Sequence, residues 1–239
     1  MTRTNLNTSV GDWVARHPQT SRVFESLQID YCCGGGKLLE QACRDRQLDP
    51  QQILLQLEQT IDGADEPTND WLNAPLVELC DHIEQTHHAY LKGELPRLTE
   101  VISKVVNAHG ESHAELPQVG QVFAELRAEL EPHMMKEERI LFPAIRQLEQ
   151  SSQPPSFPFG TVANPIGVME HEHDNAGQAL AQLRTITHDY EVPVDACNTY
   201  RAMLDGLREL EANMHQHVHK ENNILFPRAQ KLEESRARV

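Results

Sequence analysis

The stretch HMMKEERILFP, residues 133–143, recurs as HVHKENNILFP, residues 217–227, at an offset of 84 residues. The copies share His, Lys, Glu, Ile, Leu, Phe and Pro at equivalent positions. A His and a Glu four residues apart lie on nearly the same face of an α-helix, about 6 Å apart along its axis. The repeat therefore predicts two equivalent helices, each of which aims an imidazole and a carboxylate at one point.

Apolar residues at helical spacing extend beyond both copies. Four amphipathic patterns cover about 74–107, 117–149, 164–188 and 194–232, and no convincing strand alternation separates them. Short connections within each half and a Pro- and Ser-rich crossover between the halves, SSQPPSFPFGTVAN, predict two helical hairpins. The predicted fold class is therefore all-α, with an up-down four-helix bundle.

The chain before the bundle predicts a separate small helical domain. Its short helical patterns are Val14 to His17, Ser21 to Leu27, Leu38 to Cys43 and Pro50 to Ile61. The acidic segment DGADEPTND, 62–70, contains Gly and Pro and predicts a linker. We therefore expect a small domain with a Cys-Cys-Gly-Gly motif at 1–65 and the bundle at 71–232.

Composition narrows the classes of partner. The formal charge is -15 and the pI about 5.2, which disfavours binding to nucleic acid and to anionic membrane surfaces. No apolar run approaches the roughly 18 residues of a membrane span, and the start MTRTNLNTSVGDW has no signal-peptide core. Five cysteines without a zinc-type CxxC pair suit a reducing compartment. We predict a cytoplasmic protein, and leave open whether it is a homodimer.

Helical phase selects among the histidines of the bundle. Positions plus three, seven and ten from His88 are all Leu, and those from His173 are Ala, Leu and Leu. The same offsets from His87 and His171 reach mostly polar residues, which predicts that these two face outward or lie behind the ligands. Apolar residues upstream lean toward His87, so the choice of His88 is not unanimous.

In the last helix, Glu221 and Ile224 share a face with His217. Asn222 and Asn223 follow His215 and His219, so only His217 is expected to face inward. The candidate metal ligands are His88, His133, Glu137, His173, His217 and Glu221.

A lone His on an apolar face is usually a hydrogen-bonded core residue, and one HxxxE pair occurs by chance in many helices. Two buried carboxylates at equivalent places need compensating positive charge, however, and no Arg or Lys shares their stripe. Imidazoles and carboxylates without thiolates fit iron or manganese better than structural zinc. We therefore predict two metal ions, bridged by the carboxylates, with positions left for a small ligand.

Five motifs give a family resemblance: DYCCGGGKLL (30–39), DHIEQTHH, HMMKEERILFP, VMEHEHDNAG and HVHKENNILFP. Residues 74–230 resemble a hemerythrin-like di-iron bundle, and the whole chain resembles the iron-sulfur cluster repair family, also called repair of iron centres. The resemblance implies four terminal histidine ligands and two glutamates bridging an oxo-linked, non-haem pair of iron ions. It also implies repair of iron-sulfur proteins damaged by nitrosative or oxidative stress, through iron donation or reduction of nitric oxide to nitrous oxide.

Other residues are candidates for supporting roles. Glu129 and Glu172 could relay protons, or be solvated surface acids. Cys32 and Cys33 lie beside a triple Gly and near a helix start, a placement that can lower a thiol pKa, so we predict a redox or iron-relay role. The alternative is that this pair packs a turn.

The three other cysteines, Cys43, Cys80 and Cys197, are predicted to lie in the core. Two alternatives to a repair protein stay open at this point. One is a non-enzymatic protein that binds or senses oxygen or nitric oxide, and the other is a metal-free helical adaptor. Whether the chain is an enzyme, such as a nitric oxide reductase, also stays open.

Overall fold

The computed structural model describes residues 4–63, 70–153 and 155–237 of the chain. Within these ranges the regular elements are helical, apart from two isolated β-bridges, Ser9 with Leu38 and Phe157 with Gly160. The all-α prediction is confirmed. Most of the predicted linker, residues 64–69, lies outside the described part, and the boundaries at 1–65 and 71–232 stay predictions. Among the described helices, none has the length and apolar character that a membrane span requires.

The N-terminal helices are short. They are α1 (Val10–Arg16), α2 (Ser21–Ser26), α3 (Leu39–Asp45) and α4 (Pro50–Asp62), with a 3₁₀ turn at Pro18–Thr20. The helices that follow are α5 (Leu76–Ile83), α6 (Ala89–His109), α7 (Leu116–Lys136), α8 (Phe142–Gln150), α9 (Ala163–Ile186), α10 (Asn198–Lys220) and α11 (Phe226–Ala237).

In the described part of the chain, three π-helical turns join consecutive helices. They are Glu84–His88 before α6, Glu137–Leu141 before α8 and Glu221–Leu225 before α11. Pro143 and Pro227 each follow a π-turn by two residues. Because proline lacks an N–H and its ring collides with the preceding turn, the regular α-helical pattern cannot continue there, and a wider turn takes its place. Each of these two turns begins with the Glu of the repeat.

The described residues form two compact units. The first comprises those of Met1–Asp81, Ile145–Ala163 and His215–Val239. Two of its N-terminal helices begin at side-chain caps: Ser9 Oγ accepts a hydrogen bond from the Asp12 N–H at 3.1 Å at the start of α1, and Asp49 Oδ1 accepts one from the Gln51 N–H at 2.9 Å at the start of α4. In the same unit α1 packs against the π-turn Glu221–Leu225. The apolar core of the N-terminal helices consists of Val10, Trp13, Val14, Val23, Phe24, Ile29, Tyr31, Leu39, Ala42, Cys43, Ile53 and Leu57.

The second unit comprises His82–Ala144 and Asn164–Met214. Here α6 packs against α7, and the leucine stripe read from the sequence of α6 is buried. The loop after α9 has three consecutive residues with positive φ, which non-glycine residues seldom adopt: His188, Asp189 and Tyr190. The buried Tyr190 ring lies near the guanidinium groups of Arg184 and Arg208, 5.4 and 5.8 Å from its centroid. These cation–π contacts help to hold the strained loop on the core.

Candidate metal centre

Glu137 lies between two of the predicted histidine ligands. Its Oε2 atom is 3.3 Å from Nε2 of His88 and 3.3 Å from Nε2 of His133. The Nε2 atoms of His133 and His173 are 3.1 Å apart. All four side chains are buried, and none is more than 2% exposed. Four of the six predicted ligands lie in the second unit, and their donor atoms therefore face one buried region.

His217 and Glu221 repeat part of this arrangement in the first unit. His217 lies in the last turn of α10, and Glu221 begins the π-turn that follows. The His217 Nε2 atom is 3.0 Å from Glu221 Oε1, and both residues are fully buried. The pair thus corresponds in spacing and burial to His133 and Glu137, as the sequence repeat predicted.

In the second unit, one ligand atom each of His133, Glu137 and His173 lies within 4.8 Å of the others, and the ligand atoms of His88 and Glu137 lie within the same distance of each other. In the first unit, those of His217 and Glu221 also lie within 4.8 Å of each other. Imidazole nitrogen and carboxylate oxygen are donors suited to iron, so the donor atoms in each unit fit metal binding.

Two further carboxylates contact the far sides of the imidazoles. Nδ1 of His88 is 2.8 Å from Glu138 Oε1, and Nδ1 of His133 is 2.9 Å from Glu172 Oε2. A carboxylate accepts hydrogen bonds, so in each case the imidazole proton lies on Nδ1 and is donated to the carboxylate. The other ring nitrogen, Nε2, then carries a lone pair that faces Glu137. Such contacts fix the tautomer and the ring orientation of a ligand histidine.

Each of these carboxylates also binds a lysine. Lys92 Nζ donates to Glu138 at 2.6 Å, and Lys136 Nζ donates to Glu172. Partial burial opposes ionisation of both acids, but the hydrogen bonds from lysine and imidazole lower the pKa of each carboxyl below its ordinary value. Both therefore accept hydrogen bonds as anions at neutral pH.

The predicted proton relays occupy different environments. Glu172 lies against the imidazole of His133, whereas Glu129 is exposed on α7. The sequence did not lead us to Glu138, whose carboxylate contacts Nδ1 of His88 as that of Glu172 contacts Nδ1 of His133. A signal was present, because the first copy of the repeat has a second acid after Glu137 where the other copy has Asn222.

The remaining histidines correct the phase analysis in part. His171 is exposed and His87 is buried, which are the two placements left open for them, and the His87 Nδ1 is 3.1 Å from Asn213 Oδ1. His219 is also buried, so the prediction that only His217 faces inward in this helix is wrong. Its Nδ1 is 3.3 Å from the Tyr31 carbonyl, because the N-terminal loop covers a second face of the helix. Burial lowers the pKa of His219 to about 4, so the imidazole is neutral and donates to that carbonyl.

The cysteine pair and Asp30 also have the spacing of metal ligands. One ligand atom each of Asp30, Cys32 and Cys33 lies within 4.8 Å of the others. A hydrogen bond with Cys33, burial and the charge of Asp30 raise the pKa of the Cys32 thiol well above its ordinary value. The expected lowering is therefore wrong for Cys32. The helix after the pair, α3, begins only at Leu39, so its N-terminus does not adjoin the thiols.

Of the other three cysteines, two are buried and one is exposed. Cys43 and Cys80 are fully buried, as predicted, but Cys197 is exposed and that prediction is wrong. It precedes the first residue of α10, where helical phase does not apply. The backbone N–H of Tyr200 and the His109 imidazole, whose Nε2 is 3.3 Å from the sulfur, lower the pKa of Cys197 to about 7.

Comparison with known proteins gives matches to an N-terminal segment and to the longer region that follows it. Residues 81–229 match the hemerythrin HHE cation binding domain, and residues 6–61 match ScdA_N, a domain of unknown function (DUF542). The iron-sulfur cluster repair protein YtfE of Musicola paradisiaca (strain Ech703) is 37% identical over 221 residues, which are 92% of this chain and 95% of the relative. YtfE of Escherichia coli O157:H7 is also 37% identical with the same coverage. That of Enterobacter sp. (strain 638) is 38% identical, again over 92% and 95%.

Proposed function

The chain belongs to the family of the iron-sulfur cluster repair proteins and contains a hemerythrin HHE cation binding domain, and on that basis we propose that it repairs damaged iron-sulfur clusters. The family resemblance read from the sequence is thereby confirmed. The partners of this activity are iron-sulfur proteins damaged by nitrosative or oxidative stress. The site of action is the cytoplasm, where such proteins and reduced thiols occur together.

We propose that six side chains hold a pair of iron ions with an oxo bridge. The observation that carries it is the position of Glu137, whose Oε2 is equidistant from the Nε2 atoms of two histidines at 3.3 Å. A carboxylate in that position suits a ligand that serves two ions at once. The full set of ligands is His88, His133, Glu137, His173, His217 and Glu221. When bound, two iron ions supply one-electron redox chemistry and open positions for nitric oxide or oxygen.

The residues around the ligands orient imidazoles and hold protons. Glu172 accepts a hydrogen bond from the Nδ1–H of His133, and Glu138 accepts one from that of His88. A carboxylate so close to a ligand imidazole is also a candidate to pass a proton toward a bound small molecule, which is the relay role proposed for Glu172. Glu129 is exposed, so its proposed relay role would act from the surface.

We propose that repair proceeds by iron donation, by reduction of nitric oxide to nitrous oxide at the same centre, or by both. The test uses protein purified without oxygen, analysed for metal and then mixed with an enzyme whose iron-sulfur cluster has been damaged by nitric oxide. We expect about two irons per chain and recovery of the cluster absorption of the damaged enzyme.

A matched pair of histidine variants on α9 supplies the control. His173→Ala should lower the iron content and the recovery together, whereas His171→Ala, at an exposed position two residues away, should change neither. Wild-type protein without iron, or full recovery with His173→Ala, would overturn the proposal. Nitric oxide binding without recovery or nitrous oxide turnover would instead assign a sensing role.

A further inference from the structure

The loop that carries the cysteine pair is organised around one carboxylate. Asp30 Oδ1 accepts a hydrogen bond from the Cys32 N–H at 2.9 Å and from the Cys32 thiol at 3.2 Å, and Oδ2 accepts one from the Gly34 N–H at 2.8 Å. These contacts fix the carboxylate beside both sulfur atoms. The three side chains differ in exposure, since Cys32 is buried, Cys33 is half-buried and Asp30 is exposed.

Asn223 anchors this loop on the π-turn Glu221–Leu225. Its Nδ2 atom donates to the carbonyl oxygens of Cys32, at 2.9 Å, and Tyr31, at 3.3 Å. The side chain fits because Gly11 and Gly35 lie against it, and a Cβ at either position would collide with the Asn223 carboxamide. The loop is therefore docked two residues along the chain from the proposed iron ligand Glu221.

We propose that Asp30, Cys32 and Cys33 form a second metal site, at which a divalent iron ion is held in transit, and that Asn223 is the positioning residue of this site. The proposal rests on the iron-donating role proposed above. It names the place where iron outside the histidine–glutamate centre is bound.

The binding step is an exchange of protons for a metal ion without any change in redox state. One Fe²⁺ ion binds two thiolates and one carboxylate, and the two thiol protons are released to water. Thiolates bind soft and borderline metal ions well, and three protein ligands leave positions that an acceptor can occupy. The exposed Asp30 and half-buried Cys33 lie on the side from which an acceptor could approach. A closed structural site with four protein ligands would have neither open positions on the metal nor ligands exposed to an acceptor.

The experiment uses the full-length protein with Co²⁺ as a spectroscopic probe for Fe²⁺. Under anaerobic conditions we expect one Co²⁺ per chain to produce the near-ultraviolet charge-transfer absorption of a thiolate complex. Cys33→Ser should abolish this band, and Asn223→Ala should weaken Co²⁺ binding about 10-fold, as loss of a group that orients ligands does elsewhere. Cys197→Ser, which removes an exposed thiol in the other unit, should leave the band unchanged.

Competition by Fe²⁺ and a transfer measurement complete the test. Fe²⁺ should displace Co²⁺ from the thiolates, and iron-loaded Cys33→Ser should pass iron to an acceptor chelator more slowly than wild type at equal iron content. The proposal fails if wild type shows no band, if Cys33→Ser keeps it, if Fe²⁺ does not compete, or if transfer is unchanged.

Failure of the main centre has a different signature from failure of the thiol site. Wild type without iron in metal analysis, but with an intact Co²⁺–thiolate band, would remove the proposed histidine–glutamate centre and leave the thiol site as a metal site. Two irons per chain without the band would do the reverse. Circular dichroism of Asn223→Ala and Cys33→Ser should match wild type, and a variant that has lost helix is replaced by Asp30→Asn, whose side chain is exposed.

Discussion

Replacing Glu172 by Gln tests whether the groups behind the imidazoles set the strength of metal binding. The carboxylate is 2.9 Å from His133 Nδ1 and also binds Lys136. Gln keeps the shape of the side chain but loses the charge that fixes the imidazole proton on Nδ1. Loss of such a contact typically lowers metal affinity about 10–100-fold. That range corresponds to about 1.4–2.7 kcal/mol.

The assay is competition between the full-length protein and an iron chelator without oxygen. Glu138→Gln, which removes the equivalent contact to His88 at 2.8 Å, should cause a loss of the same size. Because the two carboxylates contact different histidines, their effects should add, and the double variant should lose about 3–5 kcal/mol of binding free energy. Glu129→Gln, at an exposed position on α7, is the control and should bind iron as wild type does.

A change of less than about twofold in the affinity of Glu172→Gln would refute this reasoning. The same variants separate the two roles of Glu172. If it acts as a proton relay alone, Glu172→Leu keeps its iron and loses turnover. If it holds His133 in place, iron is lost at the same time.

Three further effects follow from the structure. Alkylation of Cys197 by iodoacetamide should be the fastest among the five cysteines and should rise with pH through about 7, because the thiolate forms above that pKa; mass spectrometry would show an ordinary, higher midpoint if the reasoning is wrong. Gly35→Ala should destabilise the protein by about 1–3 kcal/mol in urea unfolding, since the added methyl collides with a side chain, whereas Gly36→Ala meets nothing within 4 Å and should change stability by less than about 0.5 kcal/mol. Arg184→Met should lower Tm by about 6–20 °C, the equivalent of about 3–5 kcal/mol. The reason is that Glu211, only 5% exposed, is left as a buried charge without its ion-pair partner. A fall in Tm of less than about 2 °C in calorimetry would contradict this.

The fold was largely predictable because its signals are local and repeated. The leucine stripe that begins at His88 identifies the buried face of α6, and burial of those leucines agrees with it. Pro143 and Pro227 are incompatible with a regular α-helical turn before them, and a π-turn lies there in both copies. Periodicity could not predict the π-turns themselves, since the wider turn depends on how the backbone relaxes around the proline ring.

The contacts between distant segments were beyond the reach of periodicity. Phase assigns one inward face to a helix, so it could not predict that His219 is buried by the N-terminal loop. For the same reason it could not identify Asn213 as the partner of His87, 126 positions earlier in the chain. Cys197 shows the opposite error, because the pattern was applied to a residue that precedes the helix. Sequence thus predicted which residues share a face, but not what covers each face.

The differences between the two copies of the repeat indicate what each copy contacts. Glu137 and Glu221 start equivalent π-turns, and the Ile, Leu, Phe and Pro that follow are unchanged, because the turn must place a carboxylate in the core in both halves. The position two residues after the glutamate differs: Arg139 is exposed, whereas Asn223 donates to the Cys32 carbonyl. A long cationic side chain suits solvent, while a short amide fits between two glycine backbones. The second copy therefore differs from the first at the point where the thiol-bearing loop docks, and a connection between the two proposed metal sites is to be sought there.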